Sequence, residues 1–288
     1  MGDLPRQRSL HQKYVFANIE AAANYRMCSN LWNGYFNWTW TYKLNSDAVW
    51  GYFIVRNASK HVIGPQINVP WVNAEEMDPV DDELKMKLRT KTKASAWFVS
   101  NCYTVNRREE YVENIKKQLS LYNLTLDIYG ECGSLQCPKN IMSRCLKHLQ
   151  HNYYFYFAFE NALNEDYLTE KVLHALNYNT VPVVLSGVDY SRFLPPGSFL
   201  DALALGPEKL AKSMYDIIQN PTLYYKFFRW RNYYSFHLRH ESPNTDDYCH
   251  FCAMANDDNL MSITSIYEDF DSWWNSSLQC NHLFYDDN

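Results

Sequence analysis

The run Tyr153 to Phe159, YYFYFAF, is apolar or aromatic at every position. A strand with one face in water alternates, so an unbroken run of this kind predicts a strand covered on both faces. It ends at the polar pair Glu160-Asn161. A loop then leads to a helical pattern that opens on Glu170 and Lys171 and closes before Asn179, and a second apolar run starts at Val181. Strand, loop, helix, strand is the unit from which parallel sheets are built. Lys171 is the unexpected residue. A cation in a first helical turn opposes the macrodipole at a cost of about 0.3–1 kcal/mol. A bound anion, such as a phosphate, held between the lysine and the helix N-terminus removes the conflict. The alternative is a solvated surface lysine that tolerates the cost.

The same alternation begins near Ala94. Ser95 to Ser100 reads as a strand and Arg107 to Leu119 as an amphipathic helix with Tyr111, Ile115 and Leu119 at helical spacing. Leu124 to Tyr129 reads as a strand, Asn140 to Leu149 as a helix, Glu170 to Leu176 as a helix, Val181 to Leu185 as a strand, and Glu208 to Ile218 as a helix stopped by Asn220-Pro221. Pro182 fits a strand only near its start. This repetition predicts an α/β protein with a doubly wound parallel sheet. Before Met86 the pattern is less regular, with strands expected at Tyr14 to Ile19, Phe36 to Tyr42 and Val49 to Val55. The charged run Asp78 to Lys93 reads as a linker or as a solvated helix.

Open parallel sheets bind ligands beyond the carboxyl ends of their strands. Ser100, Asn101 and Arg108 follow the first strand of the repeat, Glu160 and Asn161 follow the third, and Glu170 and Lys171 open the next helix. Arg108 is a second cation in a first helical turn, which points to a diphosphate; Arg107 is the adjacent alternative. There is no GxGxxG dinucleotide loop.

Net charge is −5 with no basic run, which excludes a nucleic-acid surface. Eight cysteines and four N-x-S/T sequons, at Asn37, Asn57, Asn123 and Asn275, lean towards the secretory pathway. No segment approaches the roughly 20 apolar residues of a membrane span, and MGDLPRQRSLHQKY is too polar for a signal peptide. Cys249-x-x-Cys252 with Cys280 and His282 downstream is one conceivable zinc set, and Cys132, Cys137 and Cys145 cannot all pair among themselves. Cys28 and Cys102 read as buried thiols. The pair Asp269-x-Asp271 fits a solvated helix face better than a metal site.

Several of these segments together resemble the α1,3-fucosyltransferases that use GDP-fucose. They are FNWTWTYKLNSD from Phe36, WFVSNC from Trp97, DIYGECG from Asp127, FYFAFEN from Phe155, DYLTEK from Asp166, VPVVLSGVDYSRFLPPGSF from Val181, FFRWR from Phe227 and CHFCAM from Cys249. The forms GECG and CxxCAM are nearest to invertebrate members. The resemblance implies a GT-B-type architecture of two Rossmann-like domains. Residues 1–86 would be an acceptor-side domain that looks N-terminally shortened, 87–240 the GDP-fucose-binding domain, and 241–288 a segment packing back across the cleft. It implies inverting transfer of L-fucose from GDP-fucose to a hydroxyl of N-acetylglucosamine in a glycoprotein or N-glycan acceptor, with an α1,3 linkage. The donor site would take Ser100, Asn101, Arg108, Tyr129, Glu160, Asn161, Tyr167, Glu170 and Lys171, with Arg108 and Lys171 on the diphosphate. Glu20 would be the base, although Ala21-Ala22 stand where the family has Ser-Pro. No metal or other cofactor is expected, Cys249 and Cys252 would form a disulfide, and the family sits on the lumenal side of the Golgi membrane through an N-terminal anchor that this chain does not show. The rival reading is a donor-binding or lectin-like relative without turnover.

Overall fold

The computed structural model describes residues 7–9 and 12–276. The chain forms two compact units, one of residues Met1–Gly51 with Arg239–Asn288 and one of Tyr52–Leu238. The structural divisions therefore fall at 51/52 and 238/239, in place of the expected boundaries at 86 and 240.

The first unit starts with three parallel strands, β1 (Val15–Asn18), β2 (Trp38–Thr41) and β3 (Ala48–Val49), in the order β1-β2-β3. Strands this short gain little from their ladders, so side chains finish the work. Asp47 accepts hydrogen bonds from the Thr39 backbone (2.8 Å), the Thr39 hydroxyl (3.0 Å) and the Tyr267 hydroxyl (2.8 Å).

The second unit opens with an antiparallel hairpin, β4 (Ile54–Asn57) and β5 (Val62–Gly64). The single strand expected over Val49 to Val55 is thus two strands in different sheets. The expected linker, 78–93, holds a helix, α1 (Asp82–Leu88). Asp81 caps it by accepting from Leu84 N at 2.7 Å, and Val80 and Leu88 are buried. Its charges are a solvated face, with Lys85–Asp82 and Lys87–Glu83 pairs on the surface.

Next come β6 (Lys93–Phe98), α2 (Arg108–Ser120), β7 (Leu126–Tyr129), α3 (Met142–Asn152), β8 (Tyr153–Phe159), α4 (Lys171–Leu176), β9 (Val181–Leu185), β10 (Leu200–Asp201), α5 (Ala202–Gln219), α6 (Pro221–Lys226) and β11 (Tyr234–His237). β11 joins the hairpin as an antiparallel third strand, in the order β11-β4-β5. The other strands make a five-stranded parallel sheet in the order β10-β9-β8-β6-β7.

The β8 run explains itself here. Phe155, Phe157 and Phe159 point to one face, packed with Val112, Ile115 and Leu119 of α2 and Leu210, Met214 and Ile217 of α5. Tyr156 points to the other, where its hydroxyl meets His174 Nδ1 of α4 at 3.3 Å. Each fully buried phenylalanine contributes about 1.5–3 kcal/mol. Pro182 is the second residue of β9 and lies before Val183 and Val184, the positions β10 pairs with, so its missing N–H breaks no bond to β10. Helix α5 begins six residues earlier than its pattern suggested, because Asp201 caps a first turn that Gly206 (φ 70°) and Pro207 then break.

The chain returns to the first unit with α7 (Asp247–Ala255), α8 (Asp258–Ser262) and α9 (Phe270–Asn275). Phe270 and Trp274 are fully buried and meet Phe16 of β1 with ring centroids 4.9 and 4.7 Å apart. Asp269 caps α9 and Asp271 accepts from Asn275, which gives the Asp-x-Asp pair a structural role. Cys249 and Cys252 are exposed free thiols, contrary to the expected disulfide. They lie on α7 at a spacing that holds Cβ atoms about 5–6 Å apart, wider than the 3.5–4.5 Å of a disulfide. Cys280 and His282 lie outside the described residues, and among the described residues no group of His, Cys, Asp or Glu could hold a metal ion. Cys28 is disulfide-bonded, as is Cys102, so neither is the buried thiol expected. Asn37 and Asn275 are buried, whereas Asn123 is exposed in the turn after α2. Among the described residues no helix is long and apolar enough to cross a membrane.

Candidate active site

In the parallel sheet the chain steps from β6 outward to β7, then returns past β6 to β8. The strand order therefore reverses between β6 and β8, the arrangement that in open α/β sheets places a ligand crevice outside the carboxyl ends of the strands. Most of the residues singled out from sequence flank this switch point.

Arg107 takes a left-handed conformation (φ 54°) and caps α2, with its side chain outside on Glu110. Arg108 is the first residue of the helix and turns inward, which separates the two arginines. The residue is only 4% exposed, and its guanidinium lies 5.4 Å from the Trp97 ring centroid. Nη1 donates to Phe159 O of β8, and Nη2 donates to Asn101 O after β6 at 3.1 Å. One side chain thus ties the two strand ends together. Burial pushes the Arg108 pKa down, against the raising influence of Glu160 and Glu109, and an arginine stays charged throughout. Asn106 adds a bond from Nδ2 to Glu160 O at 2.9 Å.

Glu160 has no solvent exposure. Its carboxylate accepts from Thr169 N at 2.8 Å, from the Thr169 hydroxyl at 2.9 and 3.0 Å, and from Lys171 Nζ at 2.8 Å. Lys171 Nζ also donates to Thr169 Oγ1 at 2.7 Å and lies 3.8 Å from the Glu170 carboxylate. Burial disfavours the ammonium, yet Glu160 and Glu170 outweigh it and hold the Lys171 pKa above its ordinary value. The misplaced cation of the sequence is thereby explained: its counterion is a buried carboxylate of its own chain, and the six-residue α4 is too short to supply much of a dipole. Burial also pushes the nearby His174 down. Two polar atoms at this crest, Asn161 Oδ1 and Arg108 Nε, are buried without a hydrogen-bond partner among the described residues. Native structures rarely leave such atoms unpaired.

The other expected residues are spread over both units. Ser100 follows β6 beside Gly130, where a Cβ would lie 2.4 Å from Val99 O and 3.4 Å from Ser100 Oγ. That contact and the positive φ (101°) require glycine. The disulfide Cys102–Cys132 joins the loops after β6 and β7, and Cys137–Cys145 staples the approach to α3. Tyr129 hydrogen-bonds Tyr153 at 2.8 Å, in a chain that ends on Asp127. Tyr167 is 2% exposed, with its ring 6.0 Å from that of Tyr52 and its carbonyl accepting from Ser186 Oγ at 2.7 Å. Glu170 is exposed at the start of α4. Glu20 belongs to the first unit. It is half-exposed on a bend just after β1, where its N–H donates to Asn18 Oδ1 at 2.8 Å. Ala21 and Ala22, which replace Ser-Pro, are fully buried, and Ala22 N donates to Tyr42 OH at 3.1 Å, so the bend is anchored without the proline.

Sequence reasoning did not single out Thr169, Asn106 or Trp97. Thr169 had a signal, since it sits inside DYLTEK two residues before the unexpected lysine. Asn106 had none.

Residues 88–273 match the glycosyltransferase family 10 (fucosyltransferase) C-terminal domain, and residues 1–53 match the fucosyltransferase N-terminal domain. The chain is 38% identical to alpha-(1,3)-fucosyltransferase C of Drosophila melanogaster over 96% of its own length and 62% of that protein's. It is 29% identical to glycoprotein 3-alpha-L-fucosyltransferase A of the same fly, over 85% of this chain and 44% of the relative. It spans less than two thirds of the length of either. A crystal structure of an α1,3-fucosyltransferase with GDP-fucose aligns with a TM-score of 0.54 at 13% identity, covering 90% of this chain and 78% of the other, and shares its GT-B-like α/β fold. By these matches along nearly its whole length, the chain belongs to glycosyltransferase family 10, the fucosyltransferases.

Proposed function

We propose that this chain transfers L-fucose from GDP-fucose to a hydroxyl of N-acetylglucosamine in a glycoprotein glycan, with inversion at the fucose anomeric carbon and an α1,3 linkage. The observation that carries the reading is the switch-point crest. Two cations, Arg108 and Lys171, meet the end of β8 at Phe159 O and the Glu160 carboxylate, and among the described residues Asn161 Oδ1 and Arg108 Nε are left without a partner. A guanidinium has five N–H groups, and Arg108 uses its two terminal nitrogens on backbone carbonyls. A diphosphate would engage the N–H groups left over and the ammonium of Lys171, and a ribose hydroxyl would donate to Asn161 Oδ1 or to Glu170.

In the reaction, Glu20 would take the proton of the acceptor hydroxyl as its oxygen bonds to the anomeric carbon. The bond from that carbon to the diphosphate oxygen breaks with its electron pair, and GDP leaves. Charge gathers on the diphosphate as the sugar passes through an oxocarbenium-like state. Cations already in place stabilise that charge without reorganisation. Paired in this way GDP needs no separate acid, and no metal is required. The disulfides Cys102–Cys132 and Cys137–Cys145 suit an oxidising lumen and so support a Golgi location.

Calorimetric titration with GDP, with and without EDTA, followed by a transfer assay with GDP-fucose on N-glycan acceptors, tests the reading. Metal-independent binding with transfer is expected. Binding without transfer would favour a donor-binding relative, and no binding by a folded sample would remove the donor site. Lys171→Ala should raise the GDP dissociation constant by roughly 10- to 100-fold, the loss of one charge-assisted contact. Unchanged affinity would take Lys171 off the diphosphate.

A further inference from the structure

We infer that Glu160 and Thr169 form a two-point clamp that aims the Lys171 ammonium, so that Glu160 is a positioning residue and does not touch the donor. The inference deepens the donor reading above and rests on it.

An ammonium carries three N–H groups arranged about a tetrahedral nitrogen. Two are taken in Lys171, one by Glu160 Oε2 at 2.8 Å and one by Thr169 Oγ1 at 2.7 Å. With two directions occupied, the third is set by geometry. Among the described residues the only other carboxylate within 4 Å of Nζ, on Glu170, is 3.8 Å away, beyond hydrogen-bond range. The Thr169 hydroxyl closes the triangle, since it accepts from Lys171 while donating to Glu160. Glu160 itself has no exposed surface, and its oxygens are turned to Thr169 and Lys171, so a ligand in the crevice meets the lysine and not the carboxylate.

A lysine on a surface moves freely on a flexible stem, and ordering it on binding costs entropy. Here that ordering is made during folding, and β8 supplies it. Strand alternation puts Glu160 on the same face as Tyr156, the face that α4 covers. The carboxylate therefore emerges where the first residues of α4 must pass. A donor group fixed in direction discriminates between the ground state and the departing diphosphate better than a mobile charge of the same size.

The charged groups facing Lys171 are Glu160 at the end of β8, Glu170 and His174 on α4, and Arg108 on α2. Of these, Glu160 does most to hold the ammonium protonated against burial. Without it, Lys171 loses its proton at lower pH.

The test compares the wild type with Glu160→Gln, Thr169→Val and Thr169→Ser. Two quantities are read against pH: acylation of Lys171 by an amine-directed reagent, followed by mass spectrometry, and kcat/KM for GDP-fucose. Glutamine offers Thr169 N an acceptor but presents a second donor group to the clamp. Glu160→Gln should move the Lys171 acylation midpoint and the alkaline limb of kcat/KM to lower pH. It should lower kcat on the order of tenfold to a hundredfold, with a smaller change in GDP affinity, because loss of aim and loss of a competing anion act in opposite directions. Thr169→Val should lower kcat in the same way and Thr169→Ser should restore it; this pair decides the question if Glu160→Gln does not fold. A folded Glu160→Gln with an unaltered acylation profile overturns the clamp. A shifted profile in a protein whose wild type binds no GDP keeps the clamp and overturns the donor reading.

Discussion

Arg108 and Lys171 stand on helices that lean against a sheet buried on both faces, whereas Glu20 stands on a bend after a four-residue strand. The parallel sheet holds its candidate site residues through main-chain order. β8 pairs with β6 and β9, and its end sets the positions of Phe159 O and Glu160, which in turn fix Arg108 and Lys171. Among its described residues the first unit has three strands of two to four residues, and its order comes from side chains. Phe16, Phe36, Phe270 and Trp274 interlock, Trp40 is stacked between Trp50 and Phe251, and buried Lys43 donates to Trp273 O and Ser276 Oγ near the end of α9. On the proposed function, the lattice would serve the donor nucleotide sugar and the aromatic packing the acceptor side.

The sharpest way to break this contrast is at Glu20. Glu20→Gln keeps the shape of the bend and should lower kcat by about 10²–10⁴-fold, the usual worth of a positioned base, while GDP binding in the other unit stays unchanged. Full activity would remove Glu20 from the chemistry. Next in size is a pair of core truncations followed by chemical denaturation. Phe157→Ala and Phe270→Ala should each cost about 3–5 kcal/mol. Only Phe157→Ala should weaken GDP binding as well, because β8 carries the crest. Equal loss of GDP affinity in both variants would mean that the units are not energetically separate. The smallest effect is expected at Lys91, just before β6. It is 4% exposed, donates to Gln150 O, and is pushed by burial down to about 7. The unfolded chain keeps an ordinary lysine protonated to about pH 10.4. Between about pH 7 and 10 the unfolded state therefore binds more protons, and stability rises with pH. Lys91→Met should raise Tm more at pH 6 than at pH 9. A gain that is the same at both pH values would count against the burial of a charged amine there.

Much of the lattice was legible because its signal is local. The apolar runs at 153–159 and 181–185 carry their own boundaries, and Arg108 and Lys171 were visible as cations in first helical turns. The strand order was not legible, since pairing β8 to β6 across the intervening β7 is a long-range choice. The partners of Glu160, Thr169 and Lys171, were hidden for a related reason. The place of Glu160 after an apolar run suggested a ligand contact, and the same alternation carried one residue further puts it under α4. In the first unit, the break between β3 and β4 and the free thiols of α7 depend on which element each residue joins, and neither has a local signature. Tyr129 and Tyr167 were chosen through family likeness; Tyr167 is buried, and the partly exposed Tyr129 packs edge-on against Phe98.

The Cys102–Cys132 bond has a practical consequence for anyone making this protein. It closes a loop across a sequence separation of 30 residues between neighbouring strands, worth about 3–4 kcal/mol by the chain-entropy account. The sheet beneath it does not depend on the cross-link, because the strands pair through their backbones. Material from a reducing bacterial cytosol could therefore be soluble, show the expected circular dichroism and pass a size-exclusion column, yet present Ser100 and Asn101 on an untethered loop. Thiol titration of each preparation, before any enzyme assay, would separate an inactive sequence from an unfinished one.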